Sequence, residues 1–201
     1  MIVRMRTEIF AACCLLFLGA SASAKVAVAA ETQAPALTNP SFEDQGVAPD
    51  RAAGWSRWGN WFNREDGWTP VRSGRCILGY HHWEIPSSND SGVYQDCAGA
   101  IMGRLYTFGI YVNPDKAKGD KKEARTIELR LESTLNGQQL TLASKSYKLA
   151  DLAPDRWERL FVSGAPVNNT LRVLVIVTPA PNNGSRGGAL RFDDAFIERA
   201  D

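Results

Sequence analysis

The chain has 201 residues, 44% of them hydrophobic and 22% charged, with 23 Lys and Arg against 22 Asp and Glu. That length suits one domain with its own core once a leader is set aside, and excludes a disulfide-stapled miniature. A formal net charge of +1 exerts no pull toward nucleic acid or an anionic membrane; a neutral ligand fits it better.

Met1 to Ala24 reads as a secretory signal. Arg4 and Arg6 open it, Ile9 to Ala20 is apolar, and Ala22-Ser23-Ala24 offers a small-residue cleavage site. The apolar run falls short of the roughly 20 residues of a spanning helix. The expectation is a secreted or periplasmic protein without stable membrane insertion; an uncleaved anchor is the alternative. Residues 25–36 read as a flexible N-terminal tail and 37–201 as a single folded domain. Two cysteines remain after the leader, Cys76 and Cys97, and an even count in an exported chain points to a disulfide between them. No cluster of histidines accompanies them, so they make no zinc site.

Leu37 to Glu43 opens the fold as an edge or irregular strand, because Pro40 cannot donate to a ladder. Gly54 to Asn60 is a short strand in which Trp55 and Trp58 must point to opposite faces. Trp61, Phe62 and Trp68 follow in a charged, loop-like setting. After the Ser73-Gly74 turn, a strand to Tyr80 carries Cys76, Leu78 and Tyr80 on one side. Ser91 to Val112 reads as two antiparallel strands joined by a short connection. In its second half Tyr106, Phe108, Ile110 and Val112 face a core, and Thr107, Gly109 and Tyr111 face away.

Residues 114–124 are a charged, solvated loop. Thr126 to Glu132 alternates, with Ile127, Leu129 and Leu131 inward, and Asn136-Gly137 turns it into a hairpin with Leu140 to Lys148. Trp157 to Val162 is a strand. Leu171 to Thr178 is apolar on both faces and should be central, and Ala189 to Ile197 closes the fold. No amphipathic helix appears. Many short strands separated by turn residues mean an all-β sandwich or barrel.

Seven landmarks occur in order: Asn39-Pro40-Ser41-Phe42-Glu43, Gly54-Trp55, Ser73-Gly74, Gly92-Val93-Tyr94-Gln95-Asp96, Leu105 to Val112, Trp157-Glu158-Arg159-Leu160, and Phe192-Asp193-Asp194-Ala195. Over roughly residues 37 to 198 the chain resembles the carbohydrate-binding modules of families four, nine and twenty-two. The resemblance implies a jelly-roll β-sandwich of two antiparallel sheets, galactose-binding-domain-like. It further implies a non-catalytic protein that binds a poly- or oligosaccharide on one sheet. It also implies a structural calcium, held by the side chains of Glu43 and Asp193 and by carbonyls near Ser41 and Arg75. Calcium takes six to eight oxygens, and such a site would pin the first segment to the last strand. Asp194 is expected to point the other way.

For the glycan, outward parity selects Trp58 and Tyr111 on one open side, with Trp83 near the position of a stacking tryptophan in family twenty-two and His82 beside it. Rings would stack on sugar faces while Glu128 and Arg130 bond hydroxyls. Two other classes stay open. A glycan-active enzyme, hydrolase or lyase, would need paired acids or a base with an arginine. Glu128 and Glu132 share a face but lie about 13 Å apart at a rise of about 3.3 Å per residue, too far for either hydrolase spacing. No motif gathers His82, Tyr111 and Arg130 for lyase chemistry. An envelope or adhesion protein binding another protein would show an outward apolar patch, which Leu174 and Ile176 suggest.

Overall fold

The computed structural model describes residues 35–59, 62–81, 90–115, 126–178 and 189–200. Ten strands follow in chain order: β1 Ser56–Trp58, β2 Phe62–Asp66, β3 Cys76–His81, β4 Ser91–Ala98, β5 Tyr106–Pro114, β6 Thr126–Leu135, β7 Gln138–Lys148, β8 Glu158–Gly164, β9 Thr170–Thr178 and β10 Ala189–Arg199. They pair antiparallel into a first sheet ordered β1-β4-β9-β6-β7 and a second ordered β2-β3-β10-β5-β8. This is the expected all-β jelly-roll sandwich. Among the described residues, no helix is long and apolar enough to cross a membrane.

Alternation builds the core. Val173, Val175 and Val177 of β9 and Ile127, Leu129 and Leu131 of β6 point in from the first sheet; Leu78, Tyr80, Phe108, Ile110, Leu190 and Phe192 meet them from the second. Truncating one of these phenylalanines to Ala would cost about 3–5 kcal/mol in lost burial and an unfilled cavity. β9 is central, as its two apolar faces require.

Four expectations are corrected. Leu37 to Glu43 forms no strand: Asn39 and Phe42 adopt left-handed φ values of 50° and 60° around Pro40. Side chains hold the segment instead. Gln95 accepts from Thr38 N–H at 2.6 Å and donates to its carbonyl at 3.0 Å, while Arg64 donates to the carbonyls of Phe42 and Glu43 at 2.9 and 2.7 Å. Phe62 to Asp66, read as loop, is a strand paired with β3. Its charged residues mask the alternation that buries Phe62.

β4 and β5 do not pair with each other; they lie in different sheets, so the chain crosses the sandwich between Ala98 and Tyr106. The fourth correction concerns the cysteines. Cys76 on β3 and Cys97 on β4 belong to opposite sheets and are free thiols, both buried. Arg64 Nη2 donates to Cys76 Sγ at 2.9 Å.

Candidate functional site on the outward face of the second sheet

Pairing register sets one row of residues across the outward face of this sheet: Asn63, Gly79, Arg191 and Asn113. Such a face normally meets water through solvated side chains. Here Asn113 is 0% exposed, Arg191 4% and Asp115 5%. Burying charge is costly unless it is paired, and the pairing is dense. Arg191 donates to Asp115 Oδ2 at 2.7 Å and to Asn113 Oδ1 at 3.1 Å. Trp68 Nε1 donates to the same Asp115 oxygen at 3.1 Å.

His81 stacks on the Trp68 ring at 4.4 Å, and its Nε2 contacts Glu65 Oε1. The Arg191 guanidinium lies 4.6 Å from the Trp68 centroid. Gly79 makes the cluster possible: a Cβ there would come within 2.5 Å of Glu65 Oε1 and 3.0 Å of Trp68 Cζ3. Burial pulls the Arg191 pKa down from the ordinary arginine value, while Asp115 opposes the shift.

Two donors are left over. Arg191 Nε and Asn113 Nδ2 are buried without a hydrogen-bond partner among the described residues. Native proteins leave few such groups, because each costs the full desolvation of a donor, about 1–3 kcal/mol. Two in adjacent side chains of one row leave donor capacity unfilled inside this cluster.

Tyr111 lies on the same face, one row along, paired with Asp193 and Arg159. Its ring is not bare, because the Arg72 guanidinium sits 3.4 Å from its centroid and pairs with Asp194. Arg159 covers Phe196 at 4.3 Å and pairs with Glu198 at 2.6 Å. These residues line a hollow of about 400 Å³. Its charges cancel in pairs.

The expected sites separate. Trp58, Glu128 and Arg130 lie on the first sheet, so Trp58 and Tyr111 do not share a face, nor do Arg130 and Tyr111. A sandwich has two outward faces, and strand parity does not distinguish them. Arg130 donates to Glu128 at 2.7 Å and to Glu132 at 3.3 Å, bridging the two carboxylates. Leu174 and Ile176, expected as an outward apolar patch, are 7% and 4% exposed. His82 and Trp83 lie outside the described residues. Glu65, Trp68, His81, Asn113, Asp115 and Arg191 were not anticipated. Their one sequence signal was polar residues at outward positions, Arg191 between Leu190 and Phe192 above all.

The four residues implied for calcium lie around the 72–76 turn and the segment before it. Asp193 accepts from the backbone N–H groups of Arg72, Ser73 and Asp194 at 2.9, 3.0 and 2.8 Å. Glu43 accepts from those of Arg75 and Cys76, both at 2.9 Å through Oε1, and from Arg75 again at 3.1 Å through Oε2. A Cβ on Gly74 would strike Glu43 Oε1 at 2.2 Å, so the turn closes tightly on that carboxylate. Burial pushes the Asp193 carboxyl up to about 6, against the pull of its amide donors.

Each carboxylate has about four acceptor positions. Asp193 therefore keeps a lone pair on Oδ1 and Glu43 keeps one on Oε2. No group of three or more His, Cys, Asp or Glu gathers as a metal set among the described residues. A calcium ion would accordingly take two side-chain oxygens and find the rest on carbonyls, such as those of Ser41 and Arg75, and on water. Asp194 is corrected: a bulge between Asp193 and Phe196, with Asp194 at φ 45°, turns its side chain onto Arg72 and Ser73.

No family model and no curated protein matches the chain. Solved structures resemble it. TmCBM61, in complex with β-1,4-galactotriose, aligns at a TM-score of 0.57 and 15% identity, over 81% of this chain and 97% of that one. The CBM22-1 xylan-binding domain from Paenibacillus barcinonensis aligns at 0.53 and 13% identity, over 86% and 99%. A Stig cyclase from Fischerella sp. TAU, in complex with an indole compound, aligns at 0.58 and 13% identity, over 84% and 100%. At such identities the likeness is one of fold: the chain has the jelly roll that carbohydrate-binding modules, and at least one enzyme, are built on.

Proposed function

We propose that this protein binds a neutral poly- or oligosaccharide, without acting on it, on the outward face of its second sheet. The carrying observation is the pair of buried, unpartnered donors, Arg191 Nε and Asn113 Nδ2, beside Trp68. Sugar oxygens would accept from both once the side chains over these enclosed atoms, Trp68 among them, shift aside. Glu65 and Asp115 would take sugar hydroxyls, and the half-buried Trp68 ring would border the ring face. An acidic sugar gains nothing here, because Arg191 is paired with Asp115, Arg72 with Asp194 and Arg159 with Glu198.

This replaces the stacking stripe expected from Trp58, Trp83 and Tyr111 with a site dominated by hydrogen bonds. Export to the periplasm or the medium is where such a binder would meet glycans. Calcium held by Glu43 and Asp193 belongs to the same proposal; when bound it would tie the 72–76 turn to β10 and carry no chemistry.

The test is a glycan array followed by calorimetry on the protein from Lys25 onward. Asn113→Ala and Trp68→Ala should each weaken binding at least tenfold while the circular dichroism of the fold is kept. Equal affinity in both variants overturns the assignment.

One observation favours a second reading. His81 against Glu65, stacked on the Trp68 that donates to Asp115, places groups able to move a proton on the face where a ligand would sit, and a cyclase shares the fold. New reducing or unsaturated ends on incubation with the bound glycan would establish that reading in place of the first.

A further inference from the structure

A second hollow lies between the loop 44–54 and the edge strand β1. Backbone hydrogen bonds fix this loop from within. Gln45 bridges to Ala52, Gly46 N–H donates to the Arg51 carbonyl at 2.8 Å, and Ala53 N–H donates to the Asp44 carbonyl at 2.9 Å. From β2, Arg64 N–H donates to the Asp50 carbonyl at 2.9 Å. Gly54 then takes a left-handed φ of 79°, which suits glycine, and turns the chain into β1. The turn sets Arg51 and Arg57 on one space of about 460 Å³, with Tyr94 at its border.

The charge of this space is unbalanced. No carboxylate among the described residues lines it. Asp50 is the acid that meets both arginines, and it serves Arg57, which donates to its Oδ2 at 2.8 Å. Arg57 is committed further, to the Phe62 carbonyl and to Asn63 Oδ1. Arg51 stands 3.9 Å from the same Asp50 oxygen, beyond hydrogen-bond reach, and its side chain is 39% exposed. Two arginines against one aspartate leave one positive charge over. Arg172, on the Tyr94 ring, is matched by both oxygens of Asp96 and adds no surplus. Burial pulls the Arg57 pKa down, repulsion by Arg51 adds to the shift, and Asp50 opposes it.

A guanidinium with its fork free takes a planar oxyanion through two parallel N–H bonds. One surplus charge matches a monoanion, whereas a phosphate dianion would set its second charge against Asp50. The space is larger than a carboxylate alone and falls within the usual range of small-ligand sites, about 300–1,000 Å³. Gly46, Ala52, Ala53 and Gly54 line it with small side chains and backbone, which leaves room for a body the size of a six-membered ring.

We infer that the hollow between the 44–54 loop and β1 is a binding site for a small cyclic carboxylate, gripped by Arg51 and held in the field of Arg57. The site stands on different residues from the second-sheet saccharide site and does not require it. Because the loop backbone is already fixed, binding orders one side chain, that of Arg51.

Nuclear magnetic resonance titration of the protein from Lys25 onward, at low ionic strength, reads the site. Benzoate, an aromatic acid, and glucuronate, a sugar acid, should each shift the Arg51 Nε–H and the Ala53 amide. Benzamide and glucose, their uncharged counterparts, should leave both signals in place. Arg51→Gln, at a guanidinium without a hydrogen bond among the described residues, should weaken both acids at least fivefold by the Ala53 signal. Arg51→Lys, which keeps the charge without the fork, should recover only part of that loss. Asn113→Ala should change neither affinity, so the two sites fail or stand separately. Tighter benzoate would identify an aromatic acid as the ligand class and tighter glucuronate an acidic sugar, and either upholds the site.

Inorganic sulfate shifting the same signals at equal affinity would mean an adventitious ion only and overturn the assignment. So would equal affinity in Arg51→Gln, an equal response to glucose, or no shift with either acid.

Discussion

Two thiols test the packing at the scale of single residues. Cys97 is 3% exposed, and burial pushes its thiol up to about 11, with neighbouring Asp96 adding to the shift. At pH 8 about one part in a thousand would be thiolate, and the thiolate is the reactive form. Burial likewise raises Cys76, although Arg64 pulls the other way. Both should therefore resist a thiol reagent in the folded protein from Lys25 onward. Both should titrate after denaturation without reductant, and alkylation should become faster as pH approaches 11. A mass two daltons low, or no titratable thiol in denaturant, would restore the disulfide that cysteine parity suggested.

At the scale of elements, the sandwich must manage its edges. β8 is the outer strand of the second sheet, and its Phe161 backbone points away from β5. The Tyr147 hydroxyl of β7 closes that edge, donating to the Phe161 carbonyl at 2.6 Å and accepting from its N–H at 2.9 Å. Tyr147→Phe removes both bonds and opens a pairing template. It should lower the unfolding free energy by about 0.5–1.5 kcal/mol in urea titration and increase aggregation near the thermal midpoint. An unchanged midpoint would mean that water satisfies the edge equally well.

Strands such as Tyr106 to Val112 and Leu171 to Thr178 were legible from the sequence because alternation reports which side chains turn inward. Alternation says nothing about which sheet a strand joins. That is why β4 and β5 read as neighbours, and why Trp58 and Tyr111 read as one stripe. The cluster of Trp68, His81, Asp115 and Arg191 was hidden for a related reason: its members come from four separate stretches, and only the register of β3, β10 and β5 brings them together.

At the scale of the whole molecule, closure depends on one junction. The segment through Glu43 forms no strand, yet it must be fixed to both the 72–76 turn and β10. Amide donors to Glu43 and Asp193 achieve this, and Ala195 N–H donates to the Pro40 carbonyl at 2.8 Å. Asp193 is wholly buried beside Asp194, so a cation adjoining it would relieve both desolvation and repulsion. A ligand that binds only the folded state at ten times its Kd adds about 1.4 kcal/mol, which moves the midpoint of a domain of this size by about 3–5 °C. Thermal melts in calcium and in EDTA should differ by that amount in the wild-type protein, and Asp193→Asn should abolish the difference without unfolding the chain, since the amide keeps an acceptor for Arg72 and Ser73. If the two melts coincide, the junction is held by amides alone, and calcium has no part in the fold.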